Sequence, residues 1–349
     1  MNTEAISAAI HDATHDSRVP GIIVGFARGA QPAEFISIGS DANGVALHAD
    51  TLFPMASVTK MATALAVLRL CDQQVLALDD PLEQHLPEAQ AARPGVTLRA
   101  LLCHSAGLPM EVSPRLAAYA AGLDWAAIST ACLLTPPDGP PRRRVQYGNV
   151  GYGLLALVVE RRTGQHYPEA LAQLVLEPLG ITATLGSEPP SPPALLANVR
   201  GKHAGTALEP FNSPFWRSLA LPWAGLVTNA AGALAIVRAF RNPQFLSAAL
   251  GAAATIDQTG GLNGGFVEPL YWEPCPWGLG PEIRGHKEPH WVAAAAGPDS
   301  FGHSGASGCL AWYAPASDTA FTILGTRTAD SGWLLRRAPA IGAAILAEA

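Results

Sequence analysis

Residues 53–60 read FPMASVTK and place Ser57 three positions ahead of Lys60. Apolar residues follow at helical spacing, among them Met61 and Leu65, so the sequence predicts a helix that begins near Ser57. Positions three apart share one face of a helix, which brings the Lys60 amine beside the Ser57 hydroxyl. A serine hydroxyl becomes an effective nucleophile when an adjacent base accepts its proton, and a lysine can be that base when burial lowers its pKa. The N-terminus of the helix also favours an oxyanion formed at Ser57.

Two further short signals follow Ser57 along the chain, Tyr147-Gly148-Asn149 and His303-Ser304-Gly305. Each of the three signals is weak when taken alone. A serine near a helix start with a surface lysine one turn later, or a core tyrosine in an ordinary loop, is a common feature of folded proteins. Their occurrence together, in this order, gives them weight.

The three signals together resemble those of the serine β-lactamase and penicillin-binding-protein superfamily. The likeness is greatest to the branch that contains class C β-lactamases, D-aminopeptidases, family VIII carboxylesterases and related acyltransferases. Residues 101–109, LLCHSAGLP, are similar to the Leu-Leu-x-His-x-x-Gly-Leu-Pro segment of that branch. Residues 78–81, 177–180 and 224–229 also resemble segments of it. The resemblance spans about residues 20–345 and implies a serine acyl-enzyme chemistry.

The order of the predicted elements indicates the fold class. Strands are predicted at residues 21–27, 34–39, 308–313 and 319–325, and helices at residues 6–15, 125–134, 154–162, 168–179, 229–240 and 334–349. This order predicts an α+β fold of the β-lactamase/transpeptidase type, with an antiparallel sheet flanked by N- and C-terminal helices and an inserted, mainly helical subdomain. We expect the sheet domain, including the nucleophile helix, at residues 1–70 and 240–349 and the helical subdomain at residues 71–239. The active site is expected in the groove between them.

The resemblance assigns roles to the first two signals. Ser57 is expected to attack the acyl carbon and form an acyl-enzyme, with Lys60 and Tyr147 as a pair of bases. The Lys60 ammonium is expected to stabilise the ionised phenol and so lower the pKa of Tyr147. Whether Lys60 or Tyr147 is the working base stays open. Asn149 is expected to orient Lys60 and the substrate carbonyl through hydrogen bonds.

The third signal is expected on the strand that edges the groove. β-Lactamases of this family usually have Lys-Thr-Gly there, so His303 is a departure, and a histidine is largely neutral at pH 7. The resemblance implies substrate positioning by His303 and Ser304, and an oxyanion hole formed by the N–H groups of Ser57 and Ala306. Gly305 is expected to let the substrate approach the strand closely.

Ser304 and Glu111 each allow a second interpretation. Residues 302–306, GHSGA, resemble the nucleophile elbow Gly-x-Ser-x-Gly, but the fifth residue is Ala306 and no strand-to-helix turn is predicted. We therefore do not expect Ser304 to be the nucleophile. Glu111 lies near the point where class C β-lactamases have a substrate-contacting glutamine. If it faces the groove it disfavours anionic substrates, and an exposed loop glutamate is the alternative.

The composition of this 349-residue chain argues against several classes of protein. A net charge of −6 disfavours a nucleic-acid-binding surface, and the absence of about 20 successive apolar residues disfavours a membrane span. The first residues lack a basic segment followed by an apolar run, so we expect no signal peptide. The five widely spaced cysteines disfavour a disulfide framework and fit a reducing cytoplasm. The seven histidines from His85 to His303 form no His-x-x-x-His pair on a predicted helix, so we expect no metal site, and we expect no cofactor.

The fold leaves the substrate open, and only a small-molecule acyl substrate is expected as a partner. The preferred hypothesis is a carboxylesterase that acts on small neutral or apolar acyl esters. His303 in place of lysine supports it, as do the aromatic residues predicted in loops, Trp216, Trp223, Tyr271, Trp272, Trp277 and Trp291. The alternatives are an amide hydrolase or β-lactamase, or an acyltransferase that passes the acyl group to an amine or alcohol. A non-catalytic binding module is the remote alternative, because Ser57, Lys60 and Tyr147 are all present.

Overall fold

A six-stranded antiparallel sheet lies at the centre of this computed structural model, which describes residues 3–266 and 269–347. The strands are β1 (Gly21–Arg28), β2 (Glu34–Gly39), β3 (Phe53–Pro54), β4 (Val145–Gln146), β5 (Ala183–Thr184), β6 (Val227–Thr228), β7 (Gly264–Gly265), β8 (Tyr271–Trp272), β9 (Glu282–Ile283), β10 (Phe301–Gly305), β11 (Cys309–Ala314) and β12 (Thr319–Gly325). The helices are α1 (Thr3–Ser17), α2 (Thr59–Asp72), α3 (Leu98–Leu102), α4 (Trp125–Leu134), α5 (Val150–Thr163), α6 (Tyr167–Leu171), α7 (Pro214–Ser218), α8 (Ala230–Ala239), α9 (Ala248–Ala254) and α10 (Trp333–Leu346). The central sheet has the order β2-β1-β12-β11-β10-β9, and two small sheets have the orders β3-β6-β5 and β4-β7-β8. The predicted α+β class with an antiparallel sheet is confirmed.

Strands from the two ends of the chain meet in the middle of this sheet. β1 pairs with β12 in a register that runs from Ile22 opposite Gly325 to Arg28 opposite Thr319. Successive residues of a strand point to opposite faces, so Ile23 enters the core that contains α2, and Ile22 enters the core under α1 and α10. Because both faces are covered, β1 is apolar along most of its length, which is why its sequence predicts a buried strand.

Helices cover both faces of the sheet. α1 and α10 pack together on one face through Ile6, Ile10 and Ile341. α8 packs on the other face through Leu234 and Val237, so the expected division at residue 240 separates α8 from the sheet it covers. The helix predicted over residues 334–349 is observed as α10, and residues 348 and 349 lie outside the described residues.

One predicted helix is shorter than expected. The sequence predicts a helix over residues 168–179, but α-helical geometry ends at Leu171 and a π-helical turn follows from Ala172 to Leu176. Pro178 has no N–H to continue the backbone hydrogen-bond ladder, and Gly180 then turns the chain with a φ of +63°.

α2 is buried on nearly all sides. Every residue from Thr59 to Leu68 is buried, and the helix packs against α5, α6 and α8. A helix that is apolar all round belongs in a protein interior. Lys60 is the one charged residue between Thr59 and Leu68, so the fold places its amine in the core.

α1 carries a His-x-x-x-His pair, which was not among the histidines considered above. Its members, His11 and His15, are both exposed. Among residues 3–266 and 269–347, no three His, Cys, Asp or Glu side chains are arranged to hold a metal ion.

Over the same residues, no helix combines the length and apolar character needed to cross a membrane. The five cysteines are free thiols.

Candidate active site

Ser57 lies in a 3₁₀ turn, Ala56–Val58, that leads directly into α2. Hydrogen bonds hold the turn in place on both sides of the serine. The Met55 N–H donates to the Leu226 carbonyl at 2.8 Å, and the Leu226 N–H donates to the Thr59 hydroxyl at 3.1 Å. Ala56 has a φ of +45°, a left-handed conformation that residues other than glycine rarely adopt. Such strain persists where surrounding contacts enforce it, and here it presents the half-buried Ser57 side chain to a pocket.

Lys60 is fully buried beside Ser57, and three groups surround its amine. Nζ lies 3.3 Å from Ser57 Oγ, 2.7 Å from Asn149 Oδ1 and 3.3 Å from the Trp223 carbonyl oxygen. Burial penalises the charged form and lowers the pKa of Lys60 to about 7, although the Glu111 carboxylate opposes this shift. A large fraction of the amine is therefore neutral at neutral pH.

The neutral amine matches its three partners. Its two N–H groups donate to the side-chain carbonyl of Asn149 and the backbone carbonyl of Trp223, which can only accept. The neutral nitrogen keeps one electron pair that can accept a proton, and the Ser57 hydroxyl oxygen lies 3.3 Å from it. This arrangement suits proton transfer from Ser57 to Lys60.

Tyr147 is buried among aromatic rings at the same site. Its ring centroid lies 4.1 Å from that of Phe266 and 4.6 Å from that of His104, and the Lys60 Nζ lies 4.7 Å from it. Burial raises the pKa of the Tyr147 phenol far above its usual value, and a hydrogen bond with Ser57 offsets only part of this rise. The expectation that Lys60 lowers the pKa of Tyr147 is therefore wrong. The phenol has lost its solvation, and a partly neutral lysine supplies little positive charge.

Asn149 links Lys60 to Glu111. It is the N-cap of α5, and its backbone N–H donates to the Met110 carbonyl at 2.7 Å. Its Oδ1 accepts from Lys60, and its Nδ2 donates to Glu111 Oε1 at 2.6 Å. A side-chain amide has one accepting end and one donating end, so Lys60 and Glu111 together fix its orientation.

Glu111 is an exposed loop residue, as the alternative interpretation has it, and it also lines the pocket, as expected of a residue that faces the groove. Its side chain is open to solvent in the pocket. The surrounding protein atoms nevertheless remove part of its hydration, and this desolvation raises the pKa of the carboxyl group. The Lys60 amine and the hydrogen bond from Asn149 oppose this rise.

β10 brings Gly305 against the Ser57 turn. A Cβ atom on Gly305 would lie 2.5 Å from the Met55 carbonyl oxygen, so a residue with a side chain cannot pack this closely. Ser304 and Gly305 line the same pocket as Ser57. Ser304 lies within a strand and not at a strand-to-helix turn, so it lacks the geometry of a nucleophile elbow.

The peptide between Gly305 and Ala306 is held in a fixed plane. The Gly305 carbonyl accepts a hydrogen bond from the Gly308 N–H at 2.9 Å, and the Ala306 carbonyl accepts one from the Ala329 N–H at 2.9 Å. Because a peptide group is planar, the bond to the Gly305 carbonyl also sets the direction of the N–H of Ala306, a residue that lines the pocket.

His303 lies behind Tyr147 and not on the pocket wall. Its side chain is 1% exposed, and its ring centroid lies 5.8 Å from that of Tyr147 and 5.7 Å from that of Trp277. Nδ1 is 2.6 Å from the Ser304 carbonyl oxygen, so Nδ1 carries the proton and donates it. Burial lowers the pKa of His303 to about 4, which agrees with the expected neutral ring. Direct substrate positioning by His303 does not fit this geometry, because strand alternation turns its side chain away from the pocket that Ser304 lines.

His104 and Phe266 also belong to the site, although no sequence motif predicted a role for either residue there. His104 packs on the Tyr147 ring, and its Nδ1 accepts a hydrogen bond from the Gly148 N–H at 3.3 Å. Burial holds the pKa of His104 well below its usual value. Its position in the LLCHSAGLP segment is a signal that could have indicated it. Phe266 directly follows β7, which pairs in parallel with β4, and no local pattern marks it.

A pocket of about 840 Å³ opens at Ser57. Its walls come from residues 110–128, from residues 202–224, from loop residues on either side of β8 and from residues 329–335. Among the described residues, the charged side chains in the lining are Glu111, Lys202 and Asp330. The lining is otherwise mainly apolar, and its aromatic members are Tyr119, Tyr147, Phe211, Trp216, Trp223, Phe266 and Trp291.

Comparisons with known proteins agree on one family. Residues 6–344 match the family model described as Beta-lactamase. Penicillin-binding protein 4 of Amycolatopsis lactamdurans is 33% identical over 184 residues, which cover 50% of this chain and 46% of that protein. Esterase EstB of Burkholderia gladioli is 33% identical over 253 residues, which cover 62% of this chain and 64% of that protein. The chain therefore spans less than two thirds of the length of either relative. A crystal structure of a beta-lactamase from Mycobacterium bovis has a TM-score of 0.68 and 29% identity and covers 95% of each chain. With a family match over residues 6–344, the chain belongs to the Beta-lactamase family, and the resemblance inferred from its three motifs is confirmed.

Proposed function

We propose that this protein is a serine hydrolase, a carboxylesterase that cleaves neutral apolar esters through an acyl-enzyme at Ser57. One observation carries the proposal. The buried Lys60 amine, with a pKa of about 7, lies 3.3 Å from the hydroxyl of a serine that lines a mainly apolar pocket. A base with a pKa near the working pH is the most effective one.

In the first step, neutral Lys60 accepts the Ser57 proton while Oγ attacks the acyl carbon. Negative charge then develops on the former carbonyl oxygen. The backbone N–H groups of Ser57 and Ala306 stabilise it, since both residues line the pocket and both peptides are held by hydrogen bonds to their neighbours.

The leaving alcohol needs a proton as its bond to the acyl carbon breaks. The Tyr147 phenol keeps its proton at neutral pH, so it protonates the leaving oxygen and regains a proton from the Lys60 ammonium. Water then attacks the acyl-enzyme and Lys60 accepts its proton. As the bond between Ser57 Oγ and the acyl carbon breaks, the Lys60 ammonium returns a proton to Oγ, and the carboxylic acid leaves. In this scheme Lys60 is the base and Tyr147 the acid.

The lining supports a neutral, apolar substrate. A pocket of about 840 Å³ with mainly apolar walls accommodates a large hydrocarbon group. Glu111 lines the same pocket as Ser57 and repels an anion, and His303, neutral and turned away, provides no positive charge for a carboxylate. The relative from Burkholderia gladioli bears the name of an esterase, which agrees with this choice.

A paired turnover assay tests the proposal. p-Nitrophenyl butyrate and a chromogenic cephalosporin are each incubated with the native protein and with Ser57→Ala. We expect ester cleavage by the native protein alone and little cephalosporin turnover. Ester cleavage by folded Ser57→Ala would contradict the assignment of the nucleophile, and rapid cephalosporin cleavage would favour a β-lactamase.

Acyl transfer is the second candidate, because the size of the pocket leaves room for an apolar acceptor beside the acyl group. The assay is therefore repeated with added 1-butanol. A product that is mainly butyl butyrate at low alcohol concentration would indicate an acyltransferase, and a product that is mainly butyrate would support the hydrolase.

We also propose a cytoplasmic location. Its support is chemical, since all five cysteines are free thiols, as is usual in a reducing compartment. Fractionation of cells that produce the full-length protein tests this, and recovery outside the cytoplasmic fraction would contradict it.

A further inference from the structure

One wall of the pocket is built from irregular backbone. Between α9 and β10 the described residues form only three two-residue strands, β7 to β9, and a 3₁₀ turn at Ala294–Ala296. This part of the chain nevertheless supplies Phe266, Leu270 and Trp291 to the lining. Irregular backbone of this kind opens easily unless side-chain contacts hold it.

A fully buried ion pair lies behind this wall. The side chains of Glu282 and Lys287 are both 0% exposed, and Lys287 Nζ lies 2.8 Å from Glu282 Oε1. Nζ also donates to the Pro276 carbonyl at 3.0 Å, and it lies 5.0 Å from the ring centroid of Trp272 and 5.1 Å from that of Trp277. The proposed hydrolysis uses neither charge.

The second carboxylate oxygen of Glu282 binds Trp291. The indole Nε1 donates to Oε2 at 3.0 Å, while His290 Nε2 lies 3.4 Å from Oε1. Trp291 is 7% exposed and lines the pocket. A single indole thus reaches from the buried carboxylate to the surface that faces the substrate.

Trp291 in turn supports the ring beside Tyr147. Its ring centroid lies 5.7 Å from that of Phe266, with an interplanar angle of 88°, which is the favoured edge-to-face geometry. Phe266 then packs on Tyr147 at 4.1 Å. Contacts therefore run without a break from Glu282 through Trp291 and Phe266 to the active-site phenol.

A purely structural role explains this arrangement poorly. Burying a carboxylate and an ammonium is costly, and an apolar pair of similar volume is often just as stable. We propose that Glu282, neutralised by Lys287, is a positioning residue that holds Trp291 in the pocket wall and thereby sets the selectivity for bulky apolar substrates. This inference rests on the proposed function for the class of substrate.

Two variants, their combination and a matched control separate this role from general stabilisation. Trp291→Phe keeps an aromatic ring but removes the N–H that Glu282 binds. Glu282→Gln alone would leave the Lys287 ammonium buried without a counter-charge, so both charges are removed in Glu282→Gln/Lys287→Met. The matched control is Glu288→Gln, which breaks an ion pair with Arg284 (2.7 Å) in the same segment, at an exposed carboxylate.

Binding is measured with two serine-directed probes of different size, 1-naphthylboronic acid and methylboronic acid. Fluorescence titration gives the Kd of each probe, and the two are compared as the ratio of the Kd for 1-naphthylboronic acid to the Kd for methylboronic acid. We expect this ratio to rise about fivefold to tenfold in Trp291→Phe and in Glu282→Gln/Lys287→Met, which corresponds to the loss of one hydrogen bond, and to stay unchanged in Glu288→Gln. The triple variant Trp291→Phe/Glu282→Gln/Lys287→Met should show no further rise, because Glu282 acts through Trp291.

The same variants are assayed with p-nitrophenyl acetate and octanoate. In Trp291→Phe and in Glu282→Gln/Lys287→Met, the ratio of KM for the octanoate to KM for the acetate should rise by a factor similar to that for the Kd ratio, with little change in kcat. An unchanged probe ratio in Trp291→Phe, or independent effects that add in the triple variant, would overturn the inference. If the native protein turns over no ester but the two variants still change the Kd ratio as expected, the proposed esterase would be overturned and the role of Glu282 supported.

Discussion

The Lys60 amine and the Asn149 side-chain oxygen are 2.7 Å apart, the shortest of the three contacts around that amine. The other end of the same amide binds the Glu111 carboxylate at 2.6 Å. Two effects set the pKa of Lys60: burial of the amine lowers it, and the negative charge of Glu111 raises it.

The native enzyme should gain activity as the pH rises through about 7. In the proposed mechanism only the neutral Lys60 amine accepts the Ser57 proton, and the pKa of Lys60 is about 7. The pH–rate profile of kcat/KM for p-nitrophenyl butyrate, from about pH 5.5 to about pH 8.5, measures this. A profile that is flat across neutrality would exclude Lys60 as the base.

Replacing Glu111 by Gln should move that profile to lower pH. The substitution removes the charge that raises the pKa of Lys60 and keeps an oxygen that can accept from Asn149. We expect a shift of roughly half a unit to one unit. Glu169→Gln, at an exposed carboxylate on α6, makes the same change of net charge and should leave the profile in place.

Replacing Tyr147 by Phe should lower kcat by a factor of at least about 100, because the leaving oxygen loses its proton donor. Burial keeps the phenol protonated, so the loss should be similar across neutral pH. Steady-state kinetics with the butyrate ester measures it, with Tyr313→Phe on β11 as the control. Near-native kcat in Tyr147→Phe would mean that Lys60 returns the proton unaided.

Gly305→Ala should damage both stability and activity. The new Cβ would lie 2.5 Å from the Met55 carbonyl oxygen, so β10 and the Ser57 turn must separate. Crowding of this kind typically costs about 1–3 kcal/mol, and we expect kcat to fall at least about tenfold. Thermal unfolding and ester turnover are compared with Gly139→Ala, where a Cβ meets no atom within 4 Å. Equal effects of the two substitutions would contradict the close packing of β10.

Lys60 should make the protein more stable as the pH rises above 7. Its pKa is about 7 in the folded protein and near the ordinary 10.5 in the unfolded chain, so the unfolded chain binds more protons between these values. The free energy of unfolding should therefore increase by about 1–2 kcal/mol between about pH 7 and about pH 8.5. Lys60→Met should remove this rise and unfold at a higher temperature at pH 7. Parallel pH dependence in the two proteins, measured by urea unfolding, would contradict the lowered pKa.

The centre of the site was predictable where the information is local. Helical spacing alone placed Lys60 beside Ser57, and the structure has their atoms 3.3 Å apart. The partnership of Lys60 with Asn149 joins residues 89 positions apart, so no spacing rule specifies it and only the family resemblance indicated it. Apolar runs likewise predicted β1 and β12, whereas two-residue strands such as β7 and β9 are too short for any periodicity.

The electrostatics of the site could not be read from the sequence. The pKa of Tyr147 depends on the rings of His104 and Phe266, which reach it from distant parts of the chain. The orientation of His303 depends on which face of β10 meets the pocket. Both properties follow from tertiary burial, which a motif does not encode.

The pairing of β1 with β12 has a consequence for how the protein is made. Gly21 and Thr326, at the edge of this pairing, are hydrogen-bonded although they stand 305 positions apart. A ribosome must therefore release the chain through Thr326 before the central sheet can close. β10, which supports the Ser57 turn, is also translated late. Ser57 is thus synthesised early but stays without the proposed oxyanion site until β10 has been made. We therefore expect a chain that is terminated before β10 to carry Ser57, Lys60 and Tyr147 and to be inactive.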